Sequence, residues 1–179
     1  MPVSRVLRAR MRSHGFTLIE LMIVLVILAV VLMIALPGFS EITLSTRLKA
    51  YANELVSSAY LARSEAIKRN VPVTLCVSTD GATCNAGGEW EQGWIVLDPS
   101  LDPNDQVLLH KQGLADGYRM VETPDGQNSL LFQPSGTAST AVSMKICRQA
   151  PEAGVQERQV TLSVTGRPRV AITTDASCP

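Results

Sequence analysis

Two arginines near the end of the chain have a spacing that suits an anion. In TGRPRV, residues 165–170, only Pro168 separates Arg167 from Arg169. If the segment is extended, residues i and i+2 lie on one face, so both guanidinium groups point the same way. Two parallel guanidinium forks fit phosphate oxygens, and Gly166 allows a tight turn before them. The residues alone also fit a hairpin with two solvent-exposed arginines and no ligand.

A single carboxylate lies inside the most apolar stretch of the chain. Phe16 to Leu36 is 21 residues long, and all of them are apolar except Thr17 and Glu20. As a helix, this length crosses about 30 Å of hydrocarbon. A carboxylate costs roughly 2.5–3.5 kcal/mol at the centre of a membrane helix and less near an end. Membrane anchoring alone therefore does not explain a glutamate at position 20.

The residues before this stretch predict its orientation. Four arginines and no acidic residue precede it, so we expect its N-terminal end to stay in the cytoplasm. A secretory signal would have a small-residue cleavage site after the stretch, but Pro-Gly follows it instead. Cleavage at Gly15, ahead of the stretch, would remove the basic leader and leave the apolar helix on the protein. The leader arginines are Arg5, Arg8, Arg10 and Arg12.

Four cysteines follow the apolar stretch, on the side of the membrane where disulfides persist. Three pairings are available to them. We predict Cys76–Cys84, which closes a short loop around a turn at Asp80-Gly81, and Cys147–Cys178, which ties the last residues to a strand. Free thiols and a zinc site are the alternatives, although C-x₂-C spacing is absent and His110 is the only histidine after the leader.

The sequence contains no catalytic or cofactor-binding pattern. His110 lies in a strand-like segment without the partners of a catalytic triad, and no phosphate-binding glycine motif is present. The acidic segment LDPSLDPNDQ (97–106) lacks EF-hand spacing and favours a solvated loop over a calcium site. Trp94 begins an apolar strand, which favours core packing over ligand stacking. We expect no enzyme activity, no cofactor and no metal.

Net charge argues against a nucleic-acid-binding surface that covers the whole molecule. The chain has 16 basic and 16 acidic residues, and loss of the four leader arginines leaves 12 against 16, a net charge of −4. Residues 145–179 nevertheless contain five basic and three acidic side chains. A binding site for a polyanion must therefore be local.

Periodicity predicts one long helix followed by short strands. Apolar residues recur every three or four positions from Leu48 to Ala66, and Val71-Pro72 ends the helix. From residue 71 the period changes to two, and turn residues separate the segments. This order predicts an α+β fold with antiparallel strands. Strands are expected at 71–77, 93–98, 106–110, 118–122, 129–133, 142–148, 158–164 and 169–173.

The segment GFTLIEL (15–21), with its basic leader, resembles the class III signal of type IV pilins and type II secretion pseudopilins. The resemblance implies a prepilin leader at residues 1–15, which a prepilin peptidase cleaves between Gly15 and Phe16 before methylating the amine of Phe16. It further implies that Glu20 pairs with the N-terminal ammonium of a neighbouring subunit. That pairing would neutralise two charges that are costly inside an apolar filament core.

Later segments are similar to the GspH/FimT family of minor pilins and pseudopilins. The resemblance implies a type IV pilin-like fold, in which a long N-terminal helix packs on antiparallel β-sheet. It implies a transmembrane and filament-core helix at 16–37 and a soluble domain at 38–179. The segments are ARSEAIKRN (62–70), WEQGWIVLDPS (90–100), FQPSGTAS (132–139) and GRPRV (166–170).

The same resemblance implies two alternative functions. A C-terminal G-R-x-R motif in FimT-type minor pilins is associated with DNA uptake in natural transformation, and Gly166, Arg167 and Arg169 match it. The match implies weak, salt-dependent and sequence-independent binding of double-stranded DNA. The alternative is a purely structural subunit, either a GspH-like pseudopilin of a type II secretion system or a pilus-priming minor pilin.

Both alternatives imply the same location and the same protein partners. The chain would be a single-pass protein of the bacterial inner membrane, with a cytoplasmic N-terminus and a periplasmic C-terminal domain. It would be incorporated, with other pilins or pseudopilins, into a pilus or a pseudopilus.

Overall fold

The structure of the protein is a computed structural model that describes residues 15–149, 156–173 and 178, without the side chains of residues 34–40. The leader arginines lie outside the described residues. The chain divides into two compact units, Met1–Ser40 and Glu41–Pro179. One helix, α1 (Leu18–Arg69), includes residues of both units.

The first unit contains the start of α1. Thr17 caps the helix, because its side-chain oxygen accepts a hydrogen bond from the backbone N–H of Glu20 at 3.3 Å. Glu20 lies in the first turn, where the helix dipole favours a negative charge. Large apolar side chains from Phe16 to Met33 are exposed. Within the described residues, no helical segment combines the length and the apolar character that crossing a membrane requires.

In the described part of the second unit there are eight strands, one for each predicted segment, and this confirms the α+β fold. The helix ends at Arg69, and Pro72 directly precedes the first strand. The seventh strand ends at Leu162, two residues before the predicted end, because a turn begins at Ser163. The strands are β1 (Val73–Val77), β2 (Gly93–Leu97), β3 (Val107–Gln112), β4 (Tyr118–Thr123), β5 (Ser129–Phe132), β6 (Val142–Arg148), β7 (Arg158–Leu162) and β8 (Pro168–Ile172).

The strands form two antiparallel sheets of four strands each. The order is β3-β2-β1-β5 in the first sheet and β4-β6-β7-β8 in the second. Strand β1 pairs with β5, so Val73 lies opposite Phe132 although 58 residues separate them. In the second sheet β8 is an edge strand that pairs only with β7 among the described strands.

A stripe of small and apolar residues on α1 forms the core with both sheets. Leu55 and Ala59 share a small internal space with Leu75 of the first sheet and Met144 of the second. Because the alanines have short side chains, the helix approaches the strands closely. The buried helix residues are Leu44, Leu48, Ala52, Leu55, Ala59, Ala62 and Ala66.

Both tryptophans belong to this core. Trp90 lies in a 3-10 turn (Trp90–Gln92), and Trp94 lies in β2. Both are fully buried, and the indole N–H of Trp90 donates to the carbonyl oxygen of Gln127 at 2.9 Å. The indole N–H of Trp94 donates to the hydroxyl of Ser58, also at 2.9 Å. Neither ring is therefore available to stack on a ligand.

The C-terminal end of α1 is fixed to the end of β2 by charge. Arg69 Nε donates to Glu65 at 2.5 Å, and this hydrogen bond holds the pKa of the Glu65 carboxyl below its usual value. Arg69 Nη1 also lies 3.5 Å from Oδ2 of Asp98, which is fully buried. Asp98 Oδ1 accepts from the hydroxyl of Ser100 at 2.6 Å. Asp98 therefore joins a strand to the helix.

The two disulfides of the structure are Cys76–Cys84 and Cys147–Cys178, the pairs that the spacing predicts. Inside the first loop, the carboxylate of Asp80 accepts hydrogen bonds from the backbone and hydroxyl of Thr83. Together with other donors these bonds hold the pKa of Asp80 well below its ordinary value.

Candidate nucleic-acid interface

The segment TGRPRV lies at the end of the hairpin formed by β7 and β8. Thr161 pairs with Arg169, and Leu162 pairs with Pro168. The turn between the strands closes through Gly166 N–H, which donates to the carbonyl oxygen of Ser163 at 2.8 Å. Gly166 has a φ of +70°, in the region that favours glycine. The tight turn expected at Gly166 is therefore present.

Arg167 and Arg169 lie on one face of this hairpin. Both are exposed, while Pro168 between them is buried and lines the internal space beneath the helix. A proline is compatible with this position because β8 is an edge strand and Pro168 is its first residue. Because Pro168 faces the core, its two neighbours in the strand, Arg167 and Arg169, face outward.

The two arginines line a surface groove of about 410 Å³ with three hydroxyl side chains. The hydroxyl oxygens of Ser163 and Thr165 lie 2.7 Å apart and share a hydrogen bond. Hydroxyl and guanidinium groups both donate hydrogen bonds to phosphate oxygens. The lining residues are Thr161, Ser163, Thr165, Arg167 and Arg169.

Sequence reasoning missed the hydroxyl groups, although a signal for them was present. From Thr161 to Arg169 every second residue is a hydroxyl residue or an arginine. This strict alternation is the period of a strand with one polar face. The alternation therefore extends the predicted arginine pair to a polar strip.

Neither arginine side chain has a hydrogen-bond or ion-pair partner among the described residues. Other cations of the second sheet are engaged. Arg119 pairs with Glu91 at 2.7 Å, and Lys145 pairs with the buried Glu157 at 2.9 Å. Arg167 and Arg169 thus keep their donors directed at solvent, as a phosphate site requires.

A contact between three segments holds the hairpin in place. Arg63 of α1 donates from Nε to the carbonyl oxygen of Gly136 at 2.9 Å. The backbone N–H of Ala138 donates to the carbonyl oxygen of Val164, in the turn between β7 and β8, at 2.9 Å. A Cβ atom on Gly166 would lie 2.2 Å from the Gly136 oxygen, so only glycine fits there.

This junction joins three of the segments that carry the sequence resemblance: ARSEAIKRN, FQPSGTAS and GRPRV. Sequence reasoning assigned Gly166 to a tight turn but did not identify Arg63 or Gly136 as its neighbours. The sequence did contain a signal for this contact: Arg63, Gly136 and Gly166 all lie in segments that resemble the same family.

The residues predicted for processing and assembly lie around the start of α1. Gly15 precedes the helix, Phe16 is exposed, and Glu20 is in the first turn of α1. Across the described parts of the chain, no group of three or more His, Cys, Asp or Glu side chains could hold a metal ion.

Comparisons with known proteins identify both the N-terminal motif and the C-terminal domain. A family model described as Type II transport protein GspH matches residues 51–166, and a model of the Prokaryotic N-terminal methylation motif matches residues 10–36. The chain is 32% identical over 168 residues to Pilin-like protein PilA1 of Thermus thermophilus, an alignment that covers 89% of this chain and 99% of that protein.

Two solved structures have a similar fold. The type IV minor pilin FimU of Pseudomonas aeruginosa has a TM-score of 0.54 at 22% identity and covers 75% of this chain and 93% of its own. The minor pseudopilin EpsH of the Vibrio cholerae type II secretion system has a TM-score of 0.50 at 15% identity. That match covers 74% of this chain and 99% of the EpsH chain. These similarities show the fold alone.

A helix that begins within a methylation motif and later packs on antiparallel sheets defines a pilin-like filament subunit. The family model covers well over half of the chain, at residues 51–166, and the Thermus relative is 32% identical. The protein therefore belongs to the GspH family of minor pilins and pseudopilins, which confirms the family expected from the sequence.

The junction makes a prediction about Gly166. Replacement of Gly166 by Ala forces an alanine into the left-handed backbone region and creates a clash with the Gly136 oxygen. Together these effects should lower the free energy of unfolding by about 3 kcal/mol or more. Gly126→Ala is the matched control, because Gly126 has a φ of +82° but open space around it. The control should lose only about 1–2 kcal/mol. Equal losses in urea unfolding would show that the Gly136 contact is unimportant.

Proposed function

We propose that this member of the GspH family is a minor pilin that binds double-stranded DNA through Arg167 and Arg169. Residues 1–15 are then its prepilin leader, residues 16–37 its membrane and filament-core helix, and residues 38–179 its periplasmic domain. A prepilin peptidase and other pilins of the filament are its protein partners. The exposed apolar side chains from Phe16 to Met33 support burial of this segment in a membrane or filament.

The observation that carries the DNA-binding proposal is a pair of exposed arginines that have no partner in the part of the chain that the structure describes. Both point into one groove with three hydroxyl groups, and neither is neutralised by a carboxylate among the described residues. Phosphate contacts of this kind position a nucleic acid without reading its bases. Binding should therefore be equal for unrelated sequences.

The size of the site limits the affinity. Two arginines neutralise about two phosphates, so affinity should fall about tenfold when salt rises from 50 to 200 mM. The net charge of −4 expected after leader removal adds no long-range attraction. Weak binding suits a subunit that acts in a filament with many neighbouring subunits, since several weak contacts add through avidity.

A structural subunit of a type II secretion pseudopilus is the second candidate. The description of the matching family model, Type II transport protein GspH, and the fold similarity to EpsH favour it. This candidate uses the same N-terminal segment for assembly and needs no ligand at the hairpin. DNA binding therefore separates the two candidates.

We predict that Arg167→Gln combined with Arg169→Gln abolishes DNA binding. The full chain in a non-ionic detergent should bind short labelled duplexes of unrelated sequence in fluorescence anisotropy, and the double variant should not. Its melting temperature should stay nearly unchanged, because exposed side chains contribute little to stability. Arg-to-Lys replacements should weaken binding less, since charge is kept but the bidentate fork is lost.

Arg47→Gln with Lys49→Gln is the matched control for charge. Both residues are exposed, and they have the same i, i+2 separation on α1. This control removes two positive charges far from the hairpin in sequence and should bind DNA like wild type. If the hairpin variant also binds like wild type, or if wild type binds no DNA at low salt, the structural candidate replaces the DNA-binding one.

Assembly makes a separate prediction for Glu20. The mature chain should begin at N-methylated Phe16, as intact mass would show, and Glu20→Ala should be processed in the same way. The variant should nevertheless be incorporated less into filaments, because the ammonium of a neighbouring subunit loses its partner. Glu41→Ala, which removes an exposed acid elsewhere on α1, is the control. Normal incorporation of Glu20→Ala would remove the pairing role.

A further inference from the structure

A row of hydroxyl side chains crosses the second sheet and leads to Arg169. Thr123 of β4 pairs with Ser143 of β6, Ser143 pairs with Thr161 of β7, and Thr161 pairs with Arg169 of β8. Residues opposite one another on neighbouring strands lie on the same face of a sheet. The four side chains therefore form one line across all four strands.

The outer face of the sheet is accessible along this row. Thr123, Thr161 and Arg169 are exposed, and Ser143 is partly exposed. The inner neighbours Val142, Met144, Val160 and Leu162 are buried in the core. The row therefore faces away from the helix.

Two surface grooves meet on this row. The groove of the arginine pair is lined by Thr161, and a second groove of about 170 Å³ is lined by Thr123, Ser143 and Thr161. Thr161 is common to both, so the depression continues from β8 to β4. A chain-like ligand fits such a continuous groove better than a compact ion.

The chemistry of the row suits a polyanion. It presents three hydroxyl groups followed by an arginine and contains no carboxylate. The hydroxyls of Ser143 and Thr161 lie 3.4 Å apart and share a hydrogen bond, so two of the three hydroxyl hydrogens stay available to a ligand. The next row of the same face consists of Val121, Lys145, Gln159 and Ala171, and its lysine is already paired with Glu157. Hydroxyl side chains are regular partners of DNA phosphates.

We infer that bound DNA continues from Arg167 and Arg169 across the outer face of the second sheet, with its phosphate backbone over Thr161, Ser143 and Thr123. This inference rests on the proposed function and adds the direction of the bound strand. Neighbouring strands are about 4.8 Å apart, so the row is about 14 Å long from Arg169 to Thr123. Two or three successive phosphates of one DNA strand span that length.

New charges placed on and off the row test this direction. Thr123→Lys adds a cation at the far end of the row, about 14 Å from Arg169. Ala171→Lys adds one on the same face of β8, only about 7 Å from Arg169 along the strand. If the DNA crosses the sheet, the distant Thr123→Lys strengthens binding more than the nearer Ala171→Lys.

The measurement is fluorescence anisotropy of the full chain in detergent with a labelled duplex at several salt concentrations. We expect Thr123→Lys to raise the affinity about threefold or more and to steepen the slope of log K against log salt by about 0.9, because one more phosphate is neutralised. Thr123→Glu should weaken binding by a similar factor. An unchanged melting temperature of the lysine variants shows that any gain of affinity belongs to the folded protein.

The outcomes separate the inference from the function on which it rests. If Ala171→Lys strengthens binding as much as Thr123→Lys or more, the DNA does not cross the sheet, and the inference is wrong while the arginine pair still binds. If wild type and the double Gln variant at Arg167 and Arg169 behave alike, the proposed function fails and the inference fails with it.

Discussion

The carbonyl oxygen of Gly136 is the point on which the arrangement of the candidate site depends. It accepts a hydrogen bond from Arg63 of the helix at 2.9 Å, and the Gly166 turn passes so close that a Cβ would lie 2.2 Å away. The helix, the turn after β5 and the β7–β8 hairpin therefore meet at one backbone atom. An edge hairpin with few other contacts would move freely, whereas this one is held at its tip. The backbone that carries the arginine pair is held in place by that contact, and preorganised donors bind anions better than mobile ones.

Charge in the second unit is divided between structural and free cations. Arg69 joins the helix to the buried Asp98, Lys145 pairs with the buried Glu157, and these pairs neutralise carboxylates that would be costly alone. Arg167 and Arg169 have no such partner among the described residues. A chain that would be slightly acidic after loss of the leader can therefore present a small basic site, because nearby cations such as Arg119 and Lys145 are paired with carboxylates.

The sequence predicted the helix, the eight strands and the shared face of the two arginines, because periodicity reports which face of an element a residue occupies. Periodicity does not report the partner strand, so one sheet could not be distinguished from two. Contacts such as Val73 with Phe132, or Arg63 with Gly136 across 73 residues, depend on the assembled core. The role expected for Glu20 depends on a contact with another subunit, and no pattern or contact within one chain reports such a contact.

The most direct test of the Gly136 junction is amide hydrogen exchange in an Arg63→Met variant, measured by NMR. The N–H of Ala138 donates to Val164 in the hairpin turn, and the N–H of Ser78 donates to Gly93 in the first sheet. If Arg63 holds the junction, the exchange of Ala138 should accelerate about tenfold or more, because local opening becomes easier, while Ser78 keeps its rate. Unchanged exchange at Ala138 would show that the hairpin is fixed without Arg63 and would contradict the account.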